Sequence, residues 1–535
     1  MMSHDVNGYI SDQATRQYEE TPLLERSPTH NLDGASIRVL LIKQKHVYSS
    51  ITLADVFQKV AFTTILTSFL VFGSSYLGYQ HVNLLQAYFA FTSFLWLITS
   101  ATNLCCPSKK HVILIGFILY FLGLASLTGL TRHFHDVNIF QYIVLVPLVL
   151  ICLGEAFCRS CIGEFGHHQF EDARLSDKLR RYSQILYWVG NTCAVLLILA
   201  LLGICEAGSY VLGMGLCCVC IAFGGISFLR GWTHFRSTET SRSSLRLLGE
   251  IVSNAKTVRR NTLTTTNQQH WLDFAKAEHS GNFSAPEVEE AKSVFKVMFI
   301  LFSLVPYWIC NAQGYSTFIF QGFHLNFDVG SVAIPVSWTA LCNIASVLVF
   351  LKVSEKYIYP ALRKQGYFFP TSWRVITGMF MTLLSMGLAG GVQLSAYSSA
   401  TQQPGGVKLH KIGEINVTYV EDVNILLTIP QYVFLGLSEV LVGVTTLTLA
   451  CKLCPVTFRK LVTGVYYFTV MLGHIVSLII VSCGWFPSGK YLAGFEMVVY
   501  FFSLAGLSVL GMLTYLYAIA ESRTPIVGEN YPVTS

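Results

Sequence analysis

The sequence is poor in charged residues. Only 12% of the 535 residues are Asp, Glu, Lys or Arg, whereas a soluble domain carries roughly 25%. Hydrophobic residues make up 53% of the chain, and the mean hydropathy is +0.52. The apolar residues form repeated runs of about 20, the length that crosses the hydrocarbon layer of a bilayer. This pattern excludes an ordinary soluble protein and indicates an integral membrane protein.

The sequence also lacks several motifs of other protein classes. No catalytic triad, P-loop or metal-ligand cluster is apparent, so we expect neither an enzyme nor an ATP-driven pump, and no cofactor apart from a coupling ion. The sequence contains no short apolar region followed by a small-residue cleavage site, so no cleavable signal peptide is predicted. The formal charge of +6 comes from Lys and Arg in alternate loops, so no nucleic-acid partner is predicted.

The apolar runs predict twelve transmembrane helices, because a backbone inside lipid must satisfy its own hydrogen bonds. The predicted spans are 53–75, 83–104, 111–131, 138–158, 184–206, 208–229, 294–320, 329–351, 374–396, 423–450, 460–483 and 492–518. Two groups of six spans flank a polar linker, which is the arrangement of the major facilitator class. We therefore predict an all-α integral membrane protein with the major facilitator fold.

The spans also divide the chain into regions. These are a tail at 1–50, an N-terminal half at 51–229, a linker at 230–293, a C-terminal half at 294–518 and a tail at 519–535. Lys and Arg concentrate in the connections after even-numbered spans, which predicts that both tails and the linker are cytosolic. Ser284 and Glu287 have capping-box spacing, which predicts a helix leading into the seventh span. An amphipathic helix is predicted from Ser243 to Ala255.

Two short motifs bear on location. In the N-terminal tail, Glu19 precedes Leu23 and Leu24 with the spacing of an acidic dileucine sorting signal, which predicts binding to a clathrin adaptor and an endosomal or lysosomal membrane. The alternatives are an inert tail and the plasma membrane. Asn416 begins a glycosylation sequon in a long loop predicted to be non-cytosolic.

Several stretches resemble one family of solute carriers. The tenth span reads IPQY at 429–432 and GLSEV at 436–440, and the seventh reads PYW at 306–308 and QGFHL at 321–325. These resemble the proton-coupled oligopeptide transporters, most closely the peptide/histidine transporter branch of solute carrier family 15. The resemblance implies a secondary-active, proton-coupled carrier (a symporter) of di- and tripeptides or histidine that works by alternating access.

The resemblance also implies roles for particular residues. Glu439 would receive the substrate's amino group, and Arg159 would receive its carboxylate. Four further residues match cavity-lining positions of the family: Asn191, Trp308, Asn343 and Gln313. As bare residue types, these four are equally consistent with packing between helices, and Glu439 is consistent with a structural carboxylate.

The first span departs from the family. The family's E-x-x-E-R cluster, which couples protons, aligns here with Asp55, Gln58 and Lys59. Gln58 cannot take up a proton, and lysine cannot make the planar two-point contact of arginine. Asp55 and Lys59 then form either an ion pair that takes part in proton coupling or one that only neutralises the two charges near the membrane interface. This departure favours the alternative of a transport-impaired receptor or scaffold of the endolysosomal membrane, whereas the intact Glu439 region favours transport.

Two further candidates for proton coupling lie within the spans. Glu155 precedes Arg159 by one helical turn, which predicts an ion pair that would weaken the grip of Arg159 on a substrate. His474 lies in the middle of the eleventh span, where an imidazole that titrates near neutral pH would replace the missing carboxylate. The alternative for His474 is a neutral, hydrogen-bonded side chain.

Overall fold

The structure is a computed structural model of the 535-residue chain. It describes residues 34–76, 81–106, 110–133, 142–169, 176–207, 209–236, 244–261, 270–366, 369–402, 407–412, 415–484 and 494–522. The sorting motif of Glu19, Leu23 and Leu24 lies outside these residues.

Six long apolar helices form the N-terminal half. They are α1 Gly34–Tyr76, α2 His81–Cys105, α3 Lys110–His133, α4 Leu145–Gln169, α5 Ser176–Glu206 and α6 Tyr210–Arg230. The first helix begins at Gly34, well before the predicted start of the first span at 53. Its early turns are too polar to be recognised as a span, but they continue the same helix.

Long helices and shorter helical segments together form the linker and the C-terminal half. They are α7 Ser244–Asn261, α8 Ala285–Phe302, α9 Val305–Asn311, α10 Thr317–Gly322, α11 Val336–Val353, α12 Tyr359–Lys364, α13 Thr371–Gln402, α14 Ile429–Glu439, α15 Thr445–Leu453, α16 Arg459–Ser482 and α17 Phe495–Ser522. Eleven helices or helix combinations among the described residues are long and apolar enough to cross a membrane. A bent pair brings the number to twelve, as predicted.

The bent pair is the seventh span. Its two parts, Ala285–Phe302 and Val305–Gly322, meet at an angle of 41°. Pro306 stands in the first turn of α9, and proline cannot donate the backbone hydrogen bond that would continue α8 through this point. The bend therefore follows from the same PYW sequence that carries the family resemblance.

Glycines allow close helix packing in the N-terminal half. A Cβ at Gly154 of α4 would lie 2.5 Å from the Tyr120 backbone nitrogen of α3, and a Cβ at Gly123 of α3 would lie 2.8 Å from the Ile151 nitrogen of α4. Within a bilayer, helices associate through such small-residue contacts because lipid supplies no hydrophobic drive between them. Larger side chains at these positions would force α3 and α4 apart.

Short strands lie at the end of the bundle away from the linker, which we call the hairpin face. The strands are β1 Leu325–Asn326, β2 Asp328–Val329, β3 Val332–Ala333, β4 Val407–Ile412 and β5 Ile415–Asn424. β4 and β5 form an antiparallel hairpin, and β1 adds to β5 in parallel. The predicted span at 329–351 was therefore placed too early, because the apolar residues of β2 and β3 prolong its hydrophobic run up to Pro335.

Asn416, the predicted glycosylation site, lies in β5 opposite Lys411 of β4. Its side chain is outside the described part of the chain. The hairpin is anchored to the end of the seventh span, where His324 Nδ1 lies 2.7 Å from the Thr418 carbonyl oxygen. Glycosylation at Asn416 stays a prediction.

The two halves contact each other near both faces. At the hairpin face, the Glu206 carboxylate at the end of α5 accepts hydrogen bonds of 2.7 Å from the backbone N–H groups of Val336 and Ser337, which begin α11. Toward the opposite face, Ser100 Oγ of α2 donates to the Gly464 carbonyl oxygen of α16 at 2.8 Å. The sequence offered no sign that Glu206 would cap a helix of the other half.

The linker forms two predicted helices. The amphipathic helix α7 buries Leu247, Leu248 and Ile251, and it packs on the one-turn helix Trp271–Ala275. The capping box that begins α8 is present, because the Ser284 backbone N–H donates to Glu287 Oε2 at 2.9 Å. Both helices therefore confirm the predictions made from spacing and amphipathicity.

An ion cluster attaches the linker to α8. Lys276 Nζ lies 2.7 Å from both Asp273 Oδ1 and Glu289 Oε1. Lys292 Nζ lies 2.7 Å from the same Asp273 oxygen and 2.9 Å from the same Glu289 oxygen. Two cations and two anions thus alternate around a ring that ties residues 273–276 to the first turns of α8.

This ion cluster should loosen only in acid. Burial raises the pKa of Asp273, but hydrogen bonds from Lys276 and Lys292 outweigh burial and lower it, and the same two lysines lower the pKa of Glu289. A depressed carboxyl pKa stabilises the fold above the unfolded value of about 4 and loses that effect as the pH falls through the folded value. Hydrogen exchange of residues 271–292, corrected for its intrinsic pH dependence, should therefore stay slow at neutral pH and accelerate below about pH 4.

The matched control for this prediction is the double change Lys276→Met with Lys292→Met. Removal of both cations should make residues 271–292 exchange quickly at neutral pH as well. Equal protection in the parent and in the double variant at neutral pH would contradict a stabilising role for the cluster.

Candidate functional site in the membrane bundle

Glu439 is the last residue of α14 and is nearly buried, with 9% of its surface exposed. Its Oε1 accepts a hydrogen bond of 3.0 Å from Asn343 Nδ2 of α11 and one of 3.1 Å from Asn311 Nδ2 of α9. Both donors are neutral amides, and among the described residues no lysine or arginine forms an ion pair with Glu439. Two neutral amides from two other helices thus hold this carboxylate in place.

The local sequence explains why these groups meet. A Cβ at Gly436 would lie 2.6 Å from the Asn343 carbonyl oxygen, so α14 and α11 approach closely one turn before Glu439. Directly after Glu439, the chain forms a π-helical turn over Val440–Val444 before α15 begins. Such turns occur often at functional sites, because they shift the direction of neighbouring side chains.

Several buried polar atoms near the site have no hydrogen-bond partner among the described residues, and two of them belong to residues singled out in the sequence. Asn343 Oδ1 is one of them, and the Trp308 Nε1–H is the other. Trp308 packs between Tyr307, at a centroid distance of 4.8 Å, and Tyr466, at 5.4 Å. A buried polar atom without a partner costs free energy, so these two atoms are candidates for contact with a polar ligand.

The side-chain amide of Gln313 forms hydrogen bonds within the bundle through both its nitrogen and its oxygen. Its Nε2 donates to the Ile309 carbonyl oxygen at 2.7 Å, and its Oε1 accepts from Thr317 and from Tyr500 at 2.9 Å each. The side chain is fully buried. These contacts favour the packing interpretation of Gln313 over direct substrate binding.

Asn191 is likewise engaged within its own helix, where Nδ2 donates to the Tyr187 carbonyl oxygen at 2.9 Å. It lies on α5 in the N-terminal half, and no described contact links it to Glu439. Of the four polar or aromatic candidates, the structure brings Asn343 to Glu439, places Trp308 in the same helix as Asn311, and leaves Gln313 and Asn191 in packing contacts.

Arg159 forms the predicted pair with Glu155. Arg159 Nε and Nη2 donate to Glu155 Oε1 at 2.8 and 2.6 Å, and both side chains are buried in α4. The other carboxylate oxygen, Oε2, accepts from Gln58 Nε2 at 2.5 Å. The guanidinium also lies 4.5 Å from the centre of the Phe62 ring and 5.5 Å from that of Trp96.

Asp55 and Lys59 form the second intrahelical pair. Lys59 Nζ lies 2.6 Å from Asp55 Oδ2, with side-chain exposures of 3% and 15%. The predicted pair is thus present, and Gln58 lies between its two members in the sequence. The first-span residues therefore remain one connected polar region with α4, although the family cluster is altered.

His474 lies where the two halves touch. Its Nδ1 is 2.9 Å from Thr92 Oγ1 of α2, and its ring is 6.3 Å from those of Phe89 and Trp96 on the same helix. The only polar contact that the structure describes for this ring is with the neutral Thr92 hydroxyl. His474 therefore fits the neutral, hydrogen-bonded interpretation in this conformation, at an interface that alternating access would separate.

Sequence reasoning missed three contributors to these contacts. Asn311 was not singled out, and Gln58 was seen only as a residue that cannot take up a proton, whereas each donates to a buried glutamate. Trp96 was not singled out, although it stacks on Tyr467 at 5.7 Å and so connects the Arg159 region to α16. An amide within an apolar span is the signal that would have found the first two.

Two six-helix halves around buried charges define a membrane carrier of the major facilitator class. Residues 110–486 match the family model PTR2, described as the POT family, and the chain therefore belongs to the POT family. This confirms the fold class and the family predicted from the sequence.

Individual relatives agree with this assignment. Solute carrier family 15 member 3 of Mus musculus is 23% identical over 397 residues, which cover 69% of this chain and 68% of that protein. Protein NRT1/PTR FAMILY 8.3 of Arabidopsis thaliana is 25% identical over 434 residues, which cover 70% of this chain and 71% of that protein.

Solved structures show the same fold. The crystal structure of an auto inhibited POT family peptide transporter has a TM-score of 0.70 at 16% identity, covering 91% of this chain and 98% of that one. The in meso crystal structure of the POT family transporter PepTSo has a TM-score of 0.69 at 16% identity, covering 90% and 99%.

Proposed function

We propose that the protein is a proton-coupled secondary transporter of short peptides or histidine. The observation that carries this proposal is the buried carboxylate of Glu439, held by the neutral amides of Asn311 and Asn343, in a member of the POT family. A carboxylate in this environment attracts an amino group strongly, because little water screens the interaction. Asn343 Oδ1 and the Trp308 indole offer further contacts to a peptide.

Transport requires the site to face each side of the membrane in turn. The N- and C-terminal halves meet through α2 with α16 and through α5 with α11, so rocking of the halves would break and remake these contacts. A proton drives this cycle only if it binds the two conformations with different affinities. His474, Glu155, Asp55 and Lys59 are the candidates that lie at or near the contacts between helices.

The receptor or scaffold alternative rests on the altered E-x-x-E-R cluster. Its strongest support is that Lys59 and Arg159, two buried basic residues of the N-terminal half, are paired within their own helices. Family membership and the Glu439 site favour transport over this alternative. A protein that binds peptides but moves none at any pH would support the receptor instead.

The test of the proposed function is uptake by purified full-length protein in liposomes. Labelled dipeptides and histidine should enter faster with an inward proton gradient, set by about pH 5.5 outside and about pH 7.5 inside, on either side of the ordinary histidine pKa. A protonophore should remove the stimulation. Absence of both uptake and binding for every peptide and for histidine would reject the proposal.

For location, we propose an endosomal or lysosomal membrane with both termini in the cytosol. Leu23→Ala with Leu24→Ala should shift the protein to the cell surface, because the dileucine side chains would no longer enter the apolar pocket of a clathrin adaptor. Surface biotinylation and microscopy would measure the shift. An unchanged distribution would mean that the tail is not the sorting signal.

A further inference from the structure

The buried charges of the bundle do not complement a zwitterion. A free dipeptide at neutral pH carries one ammonium and one carboxylate, so a complementary site needs one available anion and one available cation. The resemblance to the family implies Glu439 as the anion and Arg159 as the cation. Glu439 accepts hydrogen bonds from two neutral amides, whereas Arg159 already forms an ion pair with Glu155.

Arg159 is neutralised within its own helix. Glu155 lies one turn away, and its Oε1 takes both the Nε and the Nη2 donors at 2.8 and 2.6 Å. This Nε–Nη2 edge is one with which arginine grips a carboxylate in two-point fashion. Two aromatic rings also lie beside the guanidinium, with the Phe62 ring centre at 4.5 Å and the Trp96 ring centre at 5.5 Å.

The Glu155 carboxylate is itself held in place as the partner of Arg159. Gln58 Nε2 donates to its second oxygen at 2.5 Å, so both carboxylate oxygens are engaged by buried groups. Gln58 is neutral and leaves the charge of Glu155 available to Arg159 alone. The replacement of a family carboxylate by Gln58 thus stabilises the Glu155–Arg159 pair.

Lys59 does not supply the missing cation. Its ammonium lies 2.6 Å from the Asp55 carboxylate in the same helix, and its side chain is 3% exposed. The two N-terminal pairs therefore each sum to zero charge. Glu439, hydrogen-bonded to two neutral amides, leaves the buried charges of Asp55, Lys59, Glu155, Arg159 and Glu439 with a net negative balance.

We propose that the site selects substrates with a net positive charge: amine-bearing molecules, such as short peptides, whose carboxyl end is blocked or absent. This inference rests on the proposed function and specifies its substrate class. The amine pairs with Glu439, whereas a free carboxylate would be desolvated beside Arg159 and Lys59, whose charges are already paired with carboxylates. Leaving a charge buried and unpaired is a strong means of rejecting a competing ligand.

The test compares two probes on the purified full-length protein, alanyl-alanine and alanyl-alanine amide, at neutral pH. The amide should bind about tenfold more tightly than the free dipeptide, which corresponds to one poorly compensated charge, and should compete better for uptake into liposomes. Glu155→Gln should release Arg159 and bring the two affinities to within about twofold, mainly by tighter binding of the free dipeptide.

The matched control is Glu250→Gln. Glu250 pairs with Arg246 at the same spacing of four residues, but on the linker helix, where the arginine side chain is 77% exposed. This control should leave the preference for the amide unchanged. Glu155→Gln leaves a buried arginine without its carboxylate partner, which can impair folding. The ratio of the two dissociation constants measured on the parent protein therefore decides the selectivity by itself.

Each result bears on one claim. Binding of the free dipeptide as tight as that of the amide in the parent overturns the selectivity while leaving peptide transport intact. An amide preference that persists in well-folded Glu155→Gln overturns the assignment to the Arg159 pair. Failure of both probes to bind overturns the proposed function, and the selectivity with it.

Discussion

Glu439→Gln should abolish transport and weaken the binding of amine-bearing substrates by about a hundredfold, or roughly 3 kcal/mol, because the change removes one partner of a buried ion pair. Glutamine keeps the shape of the side chain and can still accept the hydrogen bonds from Asn311 and Asn343. The expected loss is therefore electrostatic. Isothermal calorimetry on the purified variant, with liposome uptake beside it, would measure the effect.

The control for Glu439→Gln is its thermal stability. If Glu439 were only a structural carboxylate, the variant would unfold at a changed temperature yet bind the same ligands when folded. Unaltered binding by a folded variant would therefore return Glu439 to a packing role.

His474→Gln should remove the pH dependence of uptake while preserving exchange of substrate down its own gradient. The ring contacts Thr92, Phe89 and Trp96 on α2 of the other half. A charged imidazolium in this largely apolar contact would be poorly solvated, so protonation should favour conformations in which α2 and α16 separate there. Glutamine cannot take up the proton, yet its amide retains a partner for Thr92.

Uptake rates of the His474→Gln variant across the range from about pH 5 to about pH 8 provide the measurement. A flat profile with intact counterflow is the expected result. If the profile keeps the shape of the parent, the coupling group lies elsewhere, and Glu439 and Glu155 become the residues to change. Thr92→Val serves as the control, since it removes the hydroxyl contact but leaves an imidazole that can still be protonated.

Much of the architecture was predictable from the sequence because the bilayer imposes a simple rule. Every backbone polar group in lipid must be satisfied within its own segment, so apolar runs of sufficient length become helices. The spans, the linker helix α7 and the Ser284 capping box followed from local patterns. The start of α1 at Gly34 and the strands near 328–333 did not, because hydropathy marks lipid contact and does not mark where a helix begins.

Part of the site was also visible in the sequence. A glutamate in an apolar span is costly and therefore a functional candidate, which singled out Glu439. The spacing of four residues placed Glu155 beside Arg159 and Asp55 beside Lys59, since such side chains share one helical face. Intrahelical pairs of this kind depend only on helical geometry, and both are present at 2.6 Å.

The sequence by itself thus determined the membrane-spanning helices, the family and the pairing of charges one turn apart, because each depends on local composition and spacing. Only the tertiary structure decided which residues from distant helices meet. Asn343 and Asn311 lie 96 and 128 residues from Glu439, Gln58 lies 97 from Glu155, and Thr92 lies 382 from His474. These contacts depend on how helices pack and rotate against one another, and hydrophobic periodicity does not specify that arrangement.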